Sequence, residues 1–552
     1  MSIAERIDAI MRFDKKLLIS VAITVFLLIP FINKAFHIDD PLFLWTAKNI
    51  LNTSFNFYGF SINWYGNERS MAAITKNPPL SSYYIALVGS LFGFNETVLH
   101  LAFFLFAAST AIGIYYLAAR LCARPVIAVL ASIATPVFLV SSTNIMCDIM
   151  MLAFWVWAIF LWMLGIETKS NWLLFFSSIT IALCAFTKYF GVSLLVLLPV
   201  YTVAQTRKIG KELFFLLIPM FLLAGYQWLT LQLYGHLLFF DAMAYSTKQG
   251  WTISSPIYKV LTGLCFTGGC MLTVMFYSPL LWSKRILLSG AVLTILLILI
   301  LGLMGKTAPS PSGTIDIIKW IFLIQFSIWV VVGGGVLLLT YEDFRQNKDS
   351  GSLLLTLWIL GTFIFAVFFN WTINGRSVLP MVPAIGIFLA RRIGKNRNNP
   401  ISPTTWRIFL PLAPAVCISL CVCLADYSLA NTARDAAAAI SQKFASSKRS
   451  VWFQGHWGFQ YYMQAAGCKA LDFKKNRTKQ GDIVVIPLNN TNIKSLPFTN
   501  SSPDTIFSFA PILWCGTMSR KLNSGFYSDW KGPAPFIFGP MPKEEYMIFI
   551  VH

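Results

Sequence analysis

Apolar runs of about 17–25 residues recur along the first 425 positions of this chain, and that is the length a helix needs to cross the hydrocarbon core of a bilayer. Only 12% of the 552 residues are charged, against about a quarter in soluble domains. The expected fold is an all-α polytopic membrane protein. Thirteen spans are expected, at roughly 17–36, 97–119, 125–141, 149–166, 171–187, 189–205, 212–233, 256–282, 286–305, 317–340, 352–371, 376–390 and 407–425. The opening MSIAERIDAIMRFDKK is basic, but no small-residue cleavage site closes the apolar run behind it. That run is therefore expected to stay as the first span rather than be removed as a signal.

The formal net charge of +20 takes its meaning from its distribution. With the N-terminus inside, the short internal loops collect basic residues from Arg6 and Arg12 through Arg207 and Lys208 to Arg391 and Arg392. This is the positive-inside bias. It accounts for the excess and leaves no basic, aromatic-interleaved soluble face for nucleic acid.

An odd number of spans puts the C-terminus outside. Residues 431–552 lose the apolar runs and are expected to form a small external α/β domain after a membrane domain of residues 1–430. VWFQGHWGF and DIVVIPL read as short strands, and FQYYMQAAG as a helix. Two cysteines, Cys468 and Cys515, fall in this region, and both a disulfide between them and a pair of buried free thiols are open readings. His456 reads as a packed or surface histidine. The first external loop, residues 37–96, carries SSYYIALVGSLFG, too short to span and better read as a helix lying in the interface.

The polar residues that stand out fall on the external side. Asp39 and Asp40 end the first span, and Lys76 precedes the turn NPPL. Asp148 opens span four, Lys188 lies in the hairpin FTKYFG, and Arg376 opens span twelve. The positive-inside rule gives no reason for these three cations, and carboxylates so near the bilayer are costly without a purpose. Together they suggest a site for an anionic lipid headgroup.

These segments resemble the C-type glycosyltransferases of the membrane, in particular the bacterial group related to protein O-mannosyltransferases and to the lipid A aminoarabinose transferase. The matching features are IDDPLFLWTAKNIL, TKNPPLSSYYIAL, NIMCDIMMLAF, FTKYFGVSLLVLLPV and NGRSVLPMVPAIGIFLA, in that order between residue 17 and about residue 392. Ser377 stands where the pattern has an aromatic after the arginine, and Tyr189 where it has a glycine.

The resemblance implies transfer of a sugar from a polyprenyl-phosphate donor to an acceptor glycan, lipid or protein. Asp39 or Asp40 would act as general base with inversion, and Asp148 would support the base or position the acceptor. Lys76, Lys188 and Arg376 would hold the donor phosphate. A divalent metal ion bridging carboxylate and phosphate stays open, with Asp39 and Asp40 as its ligands.

Two rival classes remain, a transporter or flippase of lipid-linked sugars and a non-catalytic scaffold of envelope assembly. The expected location is a bacterial inner membrane, with the C-terminal region in the periplasm. Sequons at Asn52, Asn95, Asn476, Asn489 and Asn500 leave a eukaryotic membrane conceivable.

Overall fold

The computed structural model of the chain describes residues 14–250, 255–304, 317–395, 406–447, 449–475, 477–496 and 501–551. Arg6, Arg12, Asn476 and Asn500 lie outside the described residues. Each of the thirteen apolar segments is helical over most of its described residues. Among the described residues, nine helices are long and apolar enough to cross a membrane, or up to eleven if each of two bent pairs is one span. The helices Lys15–Leu28 and Asn171–Thr187, 14 and 17 residues long, fall short of the roughly 20 residues a crossing takes.

The first bent pair, Pro125–Ile133 and Pro136–Ser142, turns by 68°. Its cause is Pro136, which disfavours the helical conformation in the residue before it. Thr135 is accordingly extended, and its hydroxyl caps the second helix by accepting from the Phe138 N–H. The second pair, Pro256–Cys270 and Thr273–Leu281, turns by 84°.

Between the helices Lys15–Leu28 and Glu96–Leu121 the chain forms the helices Asp40–Asn52 and Leu80–Phe92, each 13 residues long. The latter is the helix expected in SSYYIALVGSLFG. They frame one end of the bundle.

The C-terminal region carries a five-stranded sheet in the spatial order Lys469–Ala470, Val451–Phe453, Ile483–Pro487, Glu544–Val551, Ser501–Phe509. The first three strands run parallel and the last two pairings are antiparallel. The strands expected in VWFQGHWGF and DIVVIPL are Val451–Phe453 and Ile483–Pro487, and the helix between them is Trp457–Ala465. One helix, Leu412–Phe444, runs from the bundle into this region. Ala436, Ala437 and Ile440 near its end share a core with Phe459, Val485 and Ile548 of the sheet region. Residues Phe526, Tyr527 and Phe536 pack instead into the core of the helical bundle.

Both cysteines are free thiols. Cys468 packs at the edge of the sheet core, whereas Cys515 is buried in the bundle core, so the two side chains belong to separate clusters and no disulfide joins them. The Asn489 side-chain amide donates to Met518 O and Glu544 Oε1 and accepts from Lys531.

His456 is buried, stacked on Trp64 with ring centroids 5.1 Å apart, and hydrogen-bonded through Nδ1 to Gln460 Oε1 at 3.1 Å. Burial pushes its pKa down to about 4. Between about pH 4 and 6.5 the unfolded chain therefore binds the proton and the native chain does not, so this group's contribution to stability is lost as pH falls through that window. The thermal midpoint in detergent is expected to drop from pH 6.5 to 4.5, and His456→Gln to flatten that drop by up to about 1.4 kcal/mol per pH unit.

Candidate active site

The turn at residues 37–40 separates the two adjacent carboxylates. Ile38 takes φ 47°, a left-handed conformation that costs a β-branched residue of order 1–3 kcal/mol and persists only where its surroundings enforce it. The result is that Asp40 turns inward and Asp39 outward. Asp40 is fully buried, with Oδ2 accepting from the His37 N–H at 2.8 Å and Oδ1 from the Ile145 N–H at 3.1 Å. Burial raises its carboxyl to about 7 even though both backbone donors favour the charged form. Asp39 keeps 29% of its side chain exposed and accepts from Arg376 Nη2 at 3.0 Å. It faces a cavity of about 1500 Å³ that Asp40 does not line.

Arg376 is held by a short helix, Gly375–Val378, whose cap explains Ser377. Asn374 Oδ1 accepts from the Ser377 N–H at 2.8 Å while the Asn374 N–H donates to Ser377 Oγ at 3.3 Å, a reciprocal capping box. The C-terminal region clamps this loop. The Gly375 N–H donates to Phe526 O at 2.7 Å, the Asp529 N–H donates to Ile373 O at 2.9 Å, and Thr372 hydrogen-bonds the Asp529 carboxylate. A Cβ at position 375 would stand 2.7 Å from the Phe526 ring, so a larger residue than glycine would force that buried ring to shift.

Asp148 opens the helix Asp148–Thr168, where the helix dipole favours a carboxylate. Across from it, Lys188 ends the helix Asn171–Thr187 in an extended conformation that reverses the chain. Lys188 Nζ and Asp148 Oδ1 are 2.6 Å apart, and Arg376 Nη1 lies 3.9 Å from Asp148 Oδ2. The four charges thus alternate, Asp39, Arg376, Asp148, Lys188, and cancel in sum. Lys76 is different. It forms no ion pair among the described residues, donates to Ala73 O at 2.8 Å and sits 5.3 Å from the centre of the Tyr245 ring. Burial lowers its pKa.

One cavity is therefore lined by Asp39, Lys76, Asp148, Lys188 and Arg376, five of the six residues singled out, with aromatic rings from Trp64, Tyr245, Trp371 and Trp530. Residues 76–229 match the family described as dolichyl-phosphate-mannose-protein mannosyltransferase. Over that segment the chain resembles a C-type membrane glycosyltransferase. The matched glycosyltransferase segment contains Lys76, Asp148 and Lys188 and excludes Asp39, Asp40 and Arg376.

Among solved structures, the apo oligosaccharyltransferase of Archaeoglobus fulgidus is 14% identical with a TM-score of 0.44, covering 83% of this chain and 64% of its own. The chain thus spans less than two thirds of the archaeal enzyme's length. ArnT from Cupriavidus metallidurans is 13% identical in its apo state, covering 85% of this chain and 92% of its own, with a TM-score of 0.43. Its undecaprenyl-phosphate-bound form gives a TM-score of 0.42 at 13% identity, covering 85% of this chain and 93% of its own. No curated protein sequence matches the chain.

Asp39 and Asp40 point apart: both oxygens of Asp40 accept from backbone N–H groups, and Asp39 faces Arg376. Among the described residues no group of three or more His, Cys, Asp or Glu converges as metal ligands.

Two groups of residues escaped the sequence reading. Behind Asp40 lies a buried network in which Lys34 Nζ donates to Asp426 Oδ2 at 2.6 Å and to Asn144 Oδ1 at 2.8 Å. Tyr527 Oη donates to the same Asp426 oxygen at 2.7 Å, and the Tyr527 ring lies 5.7 Å from the Arg376 guanidinium. Arg520, Lys521, Lys531 and Lys543 line the cavity from the C-terminal region. The available signal for the first group was an ionisable residue at the end of an apolar run, which is where Lys34 and Asp426 stand.

Proposed function

We propose that the chain transfers a sugar from a polyprenyl-phosphate donor to an acceptor hydroxyl, with Asp39 as general base. The observation that carries this reading is the one cavity in which an accessible carboxylate, a charge-neutral set of ion pairs and the ammonium of Lys76, in no ion pair among the described residues, converge. In the step proposed, the acceptor oxygen forms a bond to the anomeric carbon as its proton passes to Asp39. The carbon–oxygen bond to phosphate breaks, its electron pair leaves with the phosphate, and the sugar inverts. Lys76, Lys188 and Arg376 stabilise the charge that develops on the leaving phosphate. Asp148 keeps Lys188 and Arg376 in place. The isoprenoid chain would lie among the apolar walls, and Trp64, Trp371 and Tyr245 would flank the sugar.

On the charge bias of the loops, we place this site at the periplasmic face of a bacterial inner membrane, with thirteen crossings and the region after residue 430 outside. The experiment is sugar transfer by purified protein in lipid, with polyprenyl-phosphate sugars as donors and membrane extracts as acceptor. Transfer that depends on Asp39 supports the enzyme. Donor binding without transfer in the presence of competent acceptors supports a flippase or scaffold instead. A related expectation concerns Lys76. Since it forms no ion pair among the described residues, Lys76→Ala should weaken binding of polyprenyl phosphate about tenfold or more, the range for a hydrogen bond to a charged group, measured by calorimetry in nanodiscs.

A further inference from the structure

The helix Ile317–Asn347 carries Gln325 within the apolar run WIFLIQFSIWVVV. One boundary of its membrane crossing is marked by Glu342 and Asp343. A hydrocarbon core of about 30 Å takes about 20 helical residues, so counting back from Thr340 puts the other boundary at about residue 321. Gln325 then lies about 6 Å inside the hydrocarbon, and any tilt of the helix moves that boundary further from it. An amide at this depth needs partners. Gln325 finds them in the C-terminal region: the Phe538 N–H donates to its Oε1 at 2.9 Å, and its Nε2 donates to Phe538 O at 2.7 Å.

Phe538 belongs to a two-stranded sheet in which Ile537–Phe538 pairs with Cys515–Gly516. Its N–H and C=O lie on the edge away from that partner, and the Gln325 amide stands in for a third strand. In water such an edge could be left to the solvent, whereas within hydrocarbon each backbone group must be satisfied inside the protein. The surface beside the strands is apolar. Ile512 and Trp514 are 61% and 75% exposed. Trp514 O accepts from the Gly539 N–H at 2.9 Å, and a Cβ on Gly539 would stand 3.4 Å from Ile321 Cγ2. The Trp514 backbone is thus fixed close to residue 321 of the helix. Ile317, Trp320 and Ile324 of that helix are exposed as well, at the spacing of one helical face. At its other end the segment is tied to the helix Leu412–Phe444, where the Ile512 N–H donates to Ser428 Oγ at 3.3 Å.

We infer that this strand pair of the C-terminal region is set into the bilayer, with Ile512 and Trp514 among the lipid chains of the adjoining leaflet. A lone exposed tryptophan needs no explanation. Here the exposed pair continues the lipid-facing stripe of a membrane helix, and the strand edge beside it is closed by a glutamine at hydrocarbon depth. An indole suits that boundary, since its body is apolar and its N–H can reach the headgroups. The region after residue 430 is then held partly by lipid. The same segment clamps the loop of Arg376, so the anchor bears on the cavity wall. The inference requires that the chain spans a membrane and is independent of the sugar chemistry.

The test uses the full chain in phosphatidylcholine nanodiscs with a nitroxide on Trp514→Cys. The background is Cys417→Ser, which removes an exposed native thiol, and the signal of that parent is subtracted. Electron paramagnetic resonance compares relaxation of the label by oxygen, which concentrates in lipid, with relaxation by a water-soluble nickel chelate. Leu299→Cys on the peripheral helix Lys284–Met304 reports lipid, and Lys475→Cys on the exposed surface of the C-terminal region reports water. Oxygen is expected to outweigh nickel at position 514, as at 299, with the order reversed at 475. Ile512→Cys carries the same test if Trp514→Cys does not fold. Nickel outweighing oxygen at the labelled position would place the strand pair in water and overturn the anchor. Weak relaxation by both would show that protein, such as a second copy of the chain, covers this surface, and would overturn it equally.

Discussion

Asp39→Asn is expected to reduce the turnover of sugar transfer by about a hundred- to ten-thousand-fold, the usual worth of a general base. Asparagine keeps the shape of the side chain and can still accept from Arg376, which stands 3.0 Å away, so donor binding and folding should change little. What it loses is a place for the acceptor's proton. Asp40→Asn should behave differently. Both carboxylate oxygens of Asp40 accept from backbone N–H groups, and an amide can satisfy only one of them. The other would face an NH2 group, an unmet buried donor worth about 1–3 kcal/mol. Asp40→Asn should therefore lower the thermal midpoint and the yield of folded protein, and its residual transfer should scale with the folded fraction. Steady-state kinetics normalised to folded protein separates the two. Transfer abolished in Asp40→Asn with stability intact, and retained in Asp39→Asn, would move the base to Asp40.

The difference between these neighbours marks where sequence reading stops. That charged residues at the ends of apolar runs would gather was legible, because a bilayer makes each such charge expensive. Asp39, Asp148, Lys188 and Arg376 met that description and do line one cavity. Which member of the Asp39–Asp40 pair faces the cavity was not legible, since it depends on the left-handed turn at Ile38, a conformation no propensity assigns to isoleucine. Helical segments were legible from their apolar length. The breaks within 125–141 and 256–282 were not, although Pro136 marked the first.

The C-terminal contribution was the least legible part. Its strands Val451–Phe453 and Ile483–Pro487 announced themselves by apolar runs. Residues 515–543, which clamp the Arg376 loop and supply Lys531, have short strands and no periodicity to read.

The largest effect on stability is expected from the pair Lys34 and Asp426, whose charged atoms are 2.6 Å apart with both side chains fully buried. Asp426→Ala would strand a buried ammonium that now donates to Asp426, Asn144 and Thr143, and Lys34→Ala would strand the carboxylate. Each single change should cost about 3–5 kcal/mol, because removing one partner leaves the other charge uncompensated. Lys34→Met combined with Asp426→Leu should cost much less than the sum of the two, since a buried pair replaced by apolar side chains of similar volume is often near neutral. A double-mutant cycle of thermal or denaturant unfolding in detergent measures this, and additive single effects would show that the two charges do not stabilise one another.

Activity should not follow stability in the double variant. Tyr527 loses its acceptor when Asp426 becomes leucine, and its ring is the face against which Arg376 lies. A double variant that recovers the fold but not the rate per folded molecule would show that the network behind the cavity positions Arg376 through Tyr527. Full recovery of both would reduce the network to packing. The distinction matters physically, because an apolar replacement can restore the free energy of a buried ion pair but not the direction in which it points a neighbouring hydroxyl.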